Sequence, residues 1–318
     1  MNSPLENPLV SVVTPSFNQG RFLEETLNSV YEQEYRPIEH IVVDAASTDA
    51  TIDILSRWAA THNDASYQLQ WTSEPDRGMG DGVNKGFERA TGEFVGWLNS
   101  DDVYFDRIVI SSAVEALRAD PSVDAVHGDV ALISEDSGLW MVWCFPEFCY
   151  KRILRGYLIP QPTIFFRKRV TDDVRIDPDL PVAHDTYVWL VAGRKYKFKH
   201  IHRIQAGDRD HSARKTYEVA DKWAQRREDM YRSFGGSENV PPLVRNIDRI
   251  TRIVMRMKGL FYLVEMFARQ GWRDRLAFPL WTDSELKVLK RQATMRITNR
   301  PALVRTEPIK RRLAGRES

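Results

Sequence analysis

The sequence predicts an α/β fold built on a mostly parallel, doubly wound sheet, followed by a helical basic C-terminal extension. Three observations carry that expectation. Short β-branched runs alternate with amphipathic stretches through the first part of the chain, the pattern of successive strand–helix units. Polar clusters fall at the ends of those runs, where open α/β sheets bind ligands. Beyond Pro241-Pro242 apolar residues recur at three- and four-residue steps, which is one face of a long helix.

The elements follow in order. Leu9–Val13 reads as a first strand, and Pro15, Ser16, Asn18 and Gly20 as the turn after it. Phe22, Leu23, Leu27 and Val30 have helical spacing. Ile38–Val43 is a second buried strand ending in Asp44. Thr51–Ala60 reads as a helix with Asp49 as its N-cap. Tyr67–Trp71 is a third strand, and Asp81–Ala90 a helix that stops before Gly92. Phe94–Leu98 is a fourth strand running into Asn99-Ser100-Asp101-Asp102. Arg107–Ala119 is helical and Val123–Val126 is another strand. From Leu132 to about Lys215 the pattern is less regular and rich in aromatics, with Val182–Ala192 as a helix opened near His184-Asp185. Tyr217–Phe234 reads as helix again, and Thr298–Ser318 as loosely ordered. Gly235-Gly236-Ser237 and Pro241-Pro242 mark a boundary. Residues 1–235 are therefore expected as one domain and 236–318 as an extension.

With 318 residues, 42% hydrophobic and 28% charged, the chain has material for a large core. That excludes a disordered chain, a collagen-like chain and a small disulfide scaffold. The formal net charge of +1 conceals an asymmetry. Arg245–Ser318 holds 18 Lys/Arg against 7 Asp/Glu, a net +11, and the first 244 residues hold 27 against 37, a net −10. The acidic body argues against nucleic acid as a partner. Cys144 and Cys149 are too few for a disulfide framework and are expected as free thiols in a reducing cytoplasm. Met1–Pro8 shows no leader pattern, and no apolar stretch is long enough to span a bilayer.

Asp101 and Asp102 close an apolar strand as a pair, the kind of ligand set a hard cation takes. A polar turn capping the next helix explains the same pair. Asp44, with Ser47, Thr48 and Asp49 after it, can accept hydrogen bonds from a base or ribose, or serve as a capping turn. The segment SEPDRGMGDGVNKG supplies four glycines for close backbone approach, with Arg77 and Lys85 as positive charge for phosphate. It matches neither a P-loop nor a dinucleotide fingerprint. Asp185, in VAHDTYVWL, is either a general base or a first-turn acid suited to the helix dipole.

Together these segments resemble a family-2 glycosyltransferase of the GT-A nucleotide-diphospho-sugar transferase fold. VSVVTPSFNQGRFLEETLNSV is similar to that family's first strand and helix, and HIVVDAASTDATIDIL to its second strand and acidic turn. SEPDRGMGDGVNKGFERATGEFVGWLNSDD resembles the subgroup found in bacterial exopolysaccharide, capsule and lipopolysaccharide gene sets. The resemblance covers residues 9–215 and is strongest up to Asp102.

The resemblance implies a set of roles. Pro15, Ser16 and Asn18 would line the nucleotide pocket, and Asp44 would contact the base. Asp76 and Arg77 would frame base and phosphates, with Lys85 nearby. Asn99-Ser100-Asp101 stands where the family has its Asp-x-Asp motif, so Asn99 and Ser100 are expected at the nucleotide sugar. Asp101 is expected as the main ligand of Mn²⁺ or Mg²⁺, with Asp102 beside it. His184-Asp185 matches the family's Glu-Asp or His-Asp motif and makes Asp185 the base. RDHSARK at 209–215 resembles a later Arg-x-His…Ser-Lys segment, placing His211 near metal or diphosphate.

The implied reaction is inverting transfer from a nucleoside-diphosphate sugar to a hydroxyl of a saccharide or lipid-linked acceptor. UDP-sugars are the family's commonest donors. Two departures stand out. Asn99 replaces an Asp, and Ala45-Ala46 stands where many relatives have Asp-Gly or Gly-Gly, although glycine takes positive φ more easily. A nucleotidyltransferase is disfavoured, because Thr14–Gly20 contains a single glycine. A non-catalytic sugar-nucleotide-binding module is the alternative that Asn99 suggests.

The C-terminal helix has two readings. Leu243, Ile247, Ile250, Val254, Met257, Phe261, Val264 and Ala268 form one row, and Arg245, Arg249, Arg252 and Arg256 another. The apolar row either packs on the body or, with Trp272, Phe278 and Trp281, meets an anionic membrane surface. The expected location is cytoplasmic, in peripheral contact with the inner face of the cell membrane.

Overall fold

The computed structural model describes residues 7–212, 214, 228–236 and 241–268. Its first half follows the sequence pattern closely. β1 (Val10–Ser16), β2 (Ile38–Asp44), β3 (Tyr67–Ser73) and β4 (Phe94–Trp97) alternate with α1 (Leu23–Tyr31), α2 (Thr51–His62) and α3 (Met79–Arg89). The four strands pair in parallel in the order β3-β2-β1-β4.

Period-two alternation decides which face each residue takes. On β1, Val10 and Val12 enter one core and Val13 the other. On β2, Ile38 and Val42 oppose Ile41 and Val43 in the same way. The first core is roofed by α1, α2 and α4 (Val109–Ala119), through residues such as Leu27, Leu55 and Val114. The second is roofed by α3, α6 (Lys168–Asp173) and α7 (His184–Ala192), through Val83, Phe87, Val170 and Trp189. Helix α3 can lie close to β1 because of Gly86, where a Cβ would come 2.2 Å from Val13 Cγ1.

The strand expected at Val123–Val126 and the region that read as irregular complete the sheet. The former opens β6 (Ala125–Ser134), and the latter supplies β7 (Leu139–Trp143), β8 (Phe165–Arg167) and β9 (Phe198–Asp210), with the short helix α5 at Tyr150–Ile153. β5 is the two-residue Val103–Tyr104. The order continues from β4 through β8, β6 and β9 to β5, with β7 on β6. β8 runs antiparallel to both β4 and β6, while β6 and β9 are parallel. The parallel, doubly wound expectation thus holds for β1–β4, and the second half of the sheet is mixed.

The full length of β6 and all of β9 escaped the sequence pattern because they bury polar side chains. His127, Asp129, His200, Gln205 and Arg209 are all within the interior, so β6 and β9 lack a clean apolar alternation. Asp49 also differs from expectation. Ala50 is the N-cap of α2 and makes no side-chain cap bond. Asp49 Oδ1 instead accepts the Thr51 amide at 3.0 Å, and Oδ2 accepts the Gly20 amide at 2.9 Å.

The last described helix, α8 (Pro242–Ala268), docks on β7 and on the α5 region. Asp248 is held by Arg155 at 2.6 Å, and Gly259 sits over Val142 O, where a Cβ would come within 2.1 Å. Leu263 is buried on this side. The apolar row does not pack on the body. Leu243, Ile247, Ile250, Val254, Met257 and Phe261 all face solvent. Among the described residues no helix is long and apolar enough to cross a membrane. Of the helix expected over Tyr217–Phe234, residues 228–233 are described and helical. Val264 and Ala268 are described only as backbone, and Trp272, Phe278, Trp281 and Thr298–Ser318 lie outside the described residues.

Candidate active site

Parallel strands deliver their carboxyl ends to one edge, and here they deliver chemistry. Strand register sets Ser16 opposite Asp44, and Asp44 opposite Ser73. Asp44 is fully buried. It accepts the Ser47 amide at 2.9 Å, the Ser73 hydroxyl at 2.7 Å and the Ser47 hydroxyl. Ser16 Oγ is buried and has no hydrogen-bond partner among the described residues. Buried hydroxyls are normally paired, so this orphan stands out at the strand-end edge.

The loops after β1 and β2 are stitched together. Asn18 takes a left-handed φ of 52°. Its Oδ1 accepts the Thr48 amide at 2.9 Å, and its own amide donates to Ser47 Oγ at 2.7 Å. Ala46 adopts φ 57°, the conformation for which glycine would be the easier residue. Pro15 and Asp76 both approach Gly82, at 3.6 and 3.2 Å from where its Cβ would be. Asp76 Oδ1 also accepts the Gly78 amide at 2.8 Å.

The two cations of this segment are engaged. Arg77 pairs with Asp179, both exposed. Lys85 sits between Glu74 and Asp81, 3.3 Å from each. Each already has a carboxylate partner, so neither stands as a bare positive charge.

Asn99 is locked into a structural triangle. Its Oδ1 accepts the Trp97 indole N–H at 3.1 Å, and its Nδ2 donates to Gln161 Oε1 at 2.7 Å. Gln161 Nε2 in turn donates to Trp97 O at 2.7 Å. Ser100 is buried, and its carbonyl accepts the Thr26 hydroxyl at 3.0 Å.

The acids collect where two distant segments cross. β5 pairs antiparallel with β9, Val103 opposite Gly207. Residues just before β5 therefore face residues just after Gly207. Asp101 Oδ2 lies 2.9 Å from His211 Nε2, and Asp102 Oδ1 accepts the Arg209 amide at 3.0 Å. Asp208 pairs with Arg214 at 2.7 Å. Burial, with the charges of Asp101 and Asp208, pushes the Asp102 carboxyl well above the ordinary range. Burial pushes Asp208 up to about 6, Arg214 opposing it and Asp101 adding to it.

Arg209 is fully buried and bolts this corner. It donates to Asp101 O at 2.7 Å, Ser137 Oγ at 2.8 Å and Glu25 Oε2 at 2.8 Å. Asp208, Arg209 and Arg214 received no role from sequence reasoning, although GDRDHSAR adjoins His211. An Asp-x-Asp-His run was the available signal.

Carboxylate oxygens with one imidazole form a donor set suited to Mg²⁺ or Mn²⁺. Carboxylates crowded enough to raise one another's pKa are what a divalent cation would relieve. Asp101 and His211 offer such donors side by side, while Asp208 would have to exchange its Arg214 partner for the ion.

Asp185 stands on the first turn of α7, after Ala183 at φ 63°. Its Oδ1 accepts the Thr186 amide at 2.7 Å. Burial pushes its carboxyl above the ordinary range, against the pull of that amide and of His184. His184 Nε2 lies 2.8 Å from Leu180 O, and its ring reaches to 3.1 Å from where a Gly80 Cβ would be. The start of α7 thereby abuts the start of α3, on the carboxyl edge of the sheet.

Residues 11–183 match the family model for glycosyl transferase family 2. The chain belongs to that family. It is 38% identical over 122 residues to an uncharacterized glycosyltransferase of Mycobacterium tuberculosis, a match covering 38% of this chain and 44% of that protein. The chain thus spans less than half the length of that relative. A putative teichuronic acid biosynthesis glycosyltransferase of Bacillus subtilis, TuaG, is 29% identical over 58% of this chain and 71% of its own. Two solved structures share the fold, at 20% identity each. Staphylococcus aureus TarS in complex with UDP-GlcNAc superposes with TM-score 0.51 over 64% of this chain and 59% of that one. The Pyrobaculum calidifontis mannosyltransferase in complex with GDP-Man and Mn²⁺ does so with TM-score 0.55 over 92% and 82%. The fold is therefore GT-A.

Proposed function

We propose that this protein is an inverting glycosyltransferase that moves a sugar from a nucleoside-diphosphate sugar to a hydroxyl of a saccharide or lipid-linked acceptor. The supporting observation is one sheet edge that gathers the Ser16–Asp44–Ser73 row, the Asp101–Asp102–Asp208–His211 acids and Asp185. A UDP-sugar is the favoured donor, since the TarS complex holds UDP-GlcNAc, and a GDP-sugar is the competitor, since the mannosyltransferase complex holds GDP-Man.

In this reading Asp44 and Ser16 receive the base and ribose, with Pro15, Asn18 and Asp76 as the pocket wall. Asp101, Asp102, Asp208 and His211 would hold Mn²⁺ or Mg²⁺. Such an ion offsets the charge of a departing diphosphate. Asp185 takes the proton of the acceptor hydroxyl as that oxygen bonds to the anomeric carbon and the carbon–phosphate oxygen bond breaks. One displacement inverts the centre. A carboxyl lifted by burial is a better base near neutral pH than an exposed one.

Residues 1–235 would form the catalytic unit and 236–318 the basic extension. The exposed apolar row of α8, with its arginines, supports contact with an anionic membrane on the cytoplasmic side. Asn99 is accounted for by its bonds to Trp97 and Gln161, which removes its weight from the non-catalytic alternative.

Calorimetry with UDP and GDP tests the site. Binding should tighten with Mn²⁺, and Asp101→Ala should erase that gain. Equal affinity with and without Mn²⁺ in the unmodified protein would sink the metal role.

A further inference from the structure

A second set of metal-ligating side chains lies away from the strand-end acids. His200 and His202 sit at the start of β9, six or more residues before Asp208. At about 3.3 Å per residue that is roughly 20 Å along the strand. Glu147, from the segment after β7, completes the group, and one ligand atom from each of the three lies within 4.8 Å of the others.

The bonding around the two rings is what makes this a site. His200 Nε2 lies 2.9 Å from Asp129 Oδ1, both side chains fully buried. His202 Nε2 lies 3.1 Å from Glu147 Oε1. Each ring therefore directs its Nε2–H to a carboxylate, which leaves Nδ1 with a lone pair. The two Nδ1 atoms face each other at 2.9 Å. Two lone pairs at that distance repel unless a cation lies between them. Imidazoles that ligate a metal through one nitrogen while a carboxylate holds the other are the usual arrangement in metal sites.

We infer that His200 Nδ1 and His202 Nδ1 bind one divalent transition-metal ion of the Zn²⁺ class, with Asp129 and Glu147 each holding the far nitrogen of one ring. Imidazole ligands suit Zn²⁺ over Mg²⁺. His202 and Glu147 are more than half exposed, so the ion has a path from solvent and room for a water ligand. The Glu147 Oε2 carboxylate oxygen also accepts the His200 amide at 3.1 Å, and Tyr262 of α8 donates to His202 O at 3.1 Å. Through the His202–Glu147 pair the ion would steady the 144–149 segment against β9 beside the docked helix. This assignment stands apart from the donor chemistry proposed above.

The test uses the full chain, stripped with a chelator and titrated with Co²⁺ while visible ligand-field absorption is followed, then with Zn²⁺ in competition. The unmodified protein should show a histidine-ligated Co²⁺ signal displaced by one equivalent of Zn²⁺. His202→Ala and Glu147→Gln should each weaken Zn²⁺ at least about tenfold, and Asp101→Ala should leave it unchanged. Melting in chelator confirms that each variant is folded. Zn²⁺ affinity that survives both His202→Ala and Glu147→Gln overturns the assignment. So does a signal that only Asp101→Ala removes, which would place the ion at the strand-end acids. Absence of any Co²⁺ signal would mean that a proton alone bridges the two rings.

Discussion

Asn99→Asp exchanges one atom at the position where the family resemblance implies a carboxylate. Two views of Asn99 give opposite results. If it is a weakened metal ligand, the aspartate should tighten Mn²⁺ and leave stability alone. The structure gives it another task. Asn99 Nδ2 donates to Gln161 Oε1 at 2.7 Å, and Gln161 Nε2 donates to Trp97 O at 2.7 Å. A carboxylate at 99 has no donor, so two oxygens would meet at that distance. Turning the Gln161 amide over repairs the contact and breaks the one to Trp97. Either way the triangle is one donor short, and Gln161 is buried. An unmet buried polar group costs about 1–3 kcal/mol. For a chain this size that lowers the melting temperature by about 2–6 °C. The assay is thermal unfolding in excess chelator, which removes any rescue by metal. An unchanged or higher melting temperature, with tighter Mn²⁺ binding, would refute the structural role.

Two more predictions follow from elements remote from that triangle. His40 is buried between Thr14 Oγ1 at 2.9 Å and the Tyr67 hydroxyl at 3.1 Å, and burial pushes its pKa from 6.5 down to about 3. The folded chain then binds fewer protons than the unfolded one between those values. Its contribution to stability is complete above pH 6.5 and shrinks as pH falls toward 3, by about 1.4 kcal/mol per pH unit. Urea midpoints across this range should show the slope reduced by that amount in His40→Gln, and equal slopes would contradict it. For α8, the full chain should float with anionic vesicles. Replacing Ile250, Val254 and Phe261 together by Ser should cut the bound fraction at least about tenfold, given the apolar surface each would bury. Flotation that ignores the triple substitution would remove the apolar row from the contact.

The fold was legible where burial is uniformly apolar. Strands Val10–Ser16 and Ile38–Asp44 have buried residues on both faces, covered by helices. Their β-branched runs announce them, and the polar residues at their ends mark the ligand edge. Legibility failed where polar side chains enter the interior. β9 carries His200, Gln205 and Arg209 inside the sheet, so neither its length nor its pairing with β5 showed in the pattern. That pairing alone sets Asp208 beside Asp101 and Asp102. One linear sequence cannot display a crossing between positions a hundred residues apart. The row of α8 left two readings open. Its helical period was plain, but a salt bridge from Asp248 to Arg155 and close packing at Gly259 turn the apolar face outward.

In the proposed reaction Asp185 moves the acceptor proton at a site that binds the donor by other groups. Asp185→Asn keeps the side-chain shape and one acceptor oxygen for the Thr186 amide, and removes the base. The decisive measurement pairs donor affinity with turnover, using Mn²⁺ and a panel of nucleotide sugars, with release of nucleoside diphosphate as the signal. Affinity should stay within a few-fold, and turnover should fall by about 10²–10⁴. Turnover near that of the unmodified protein, at unchanged affinity, would contradict the assignment of the base.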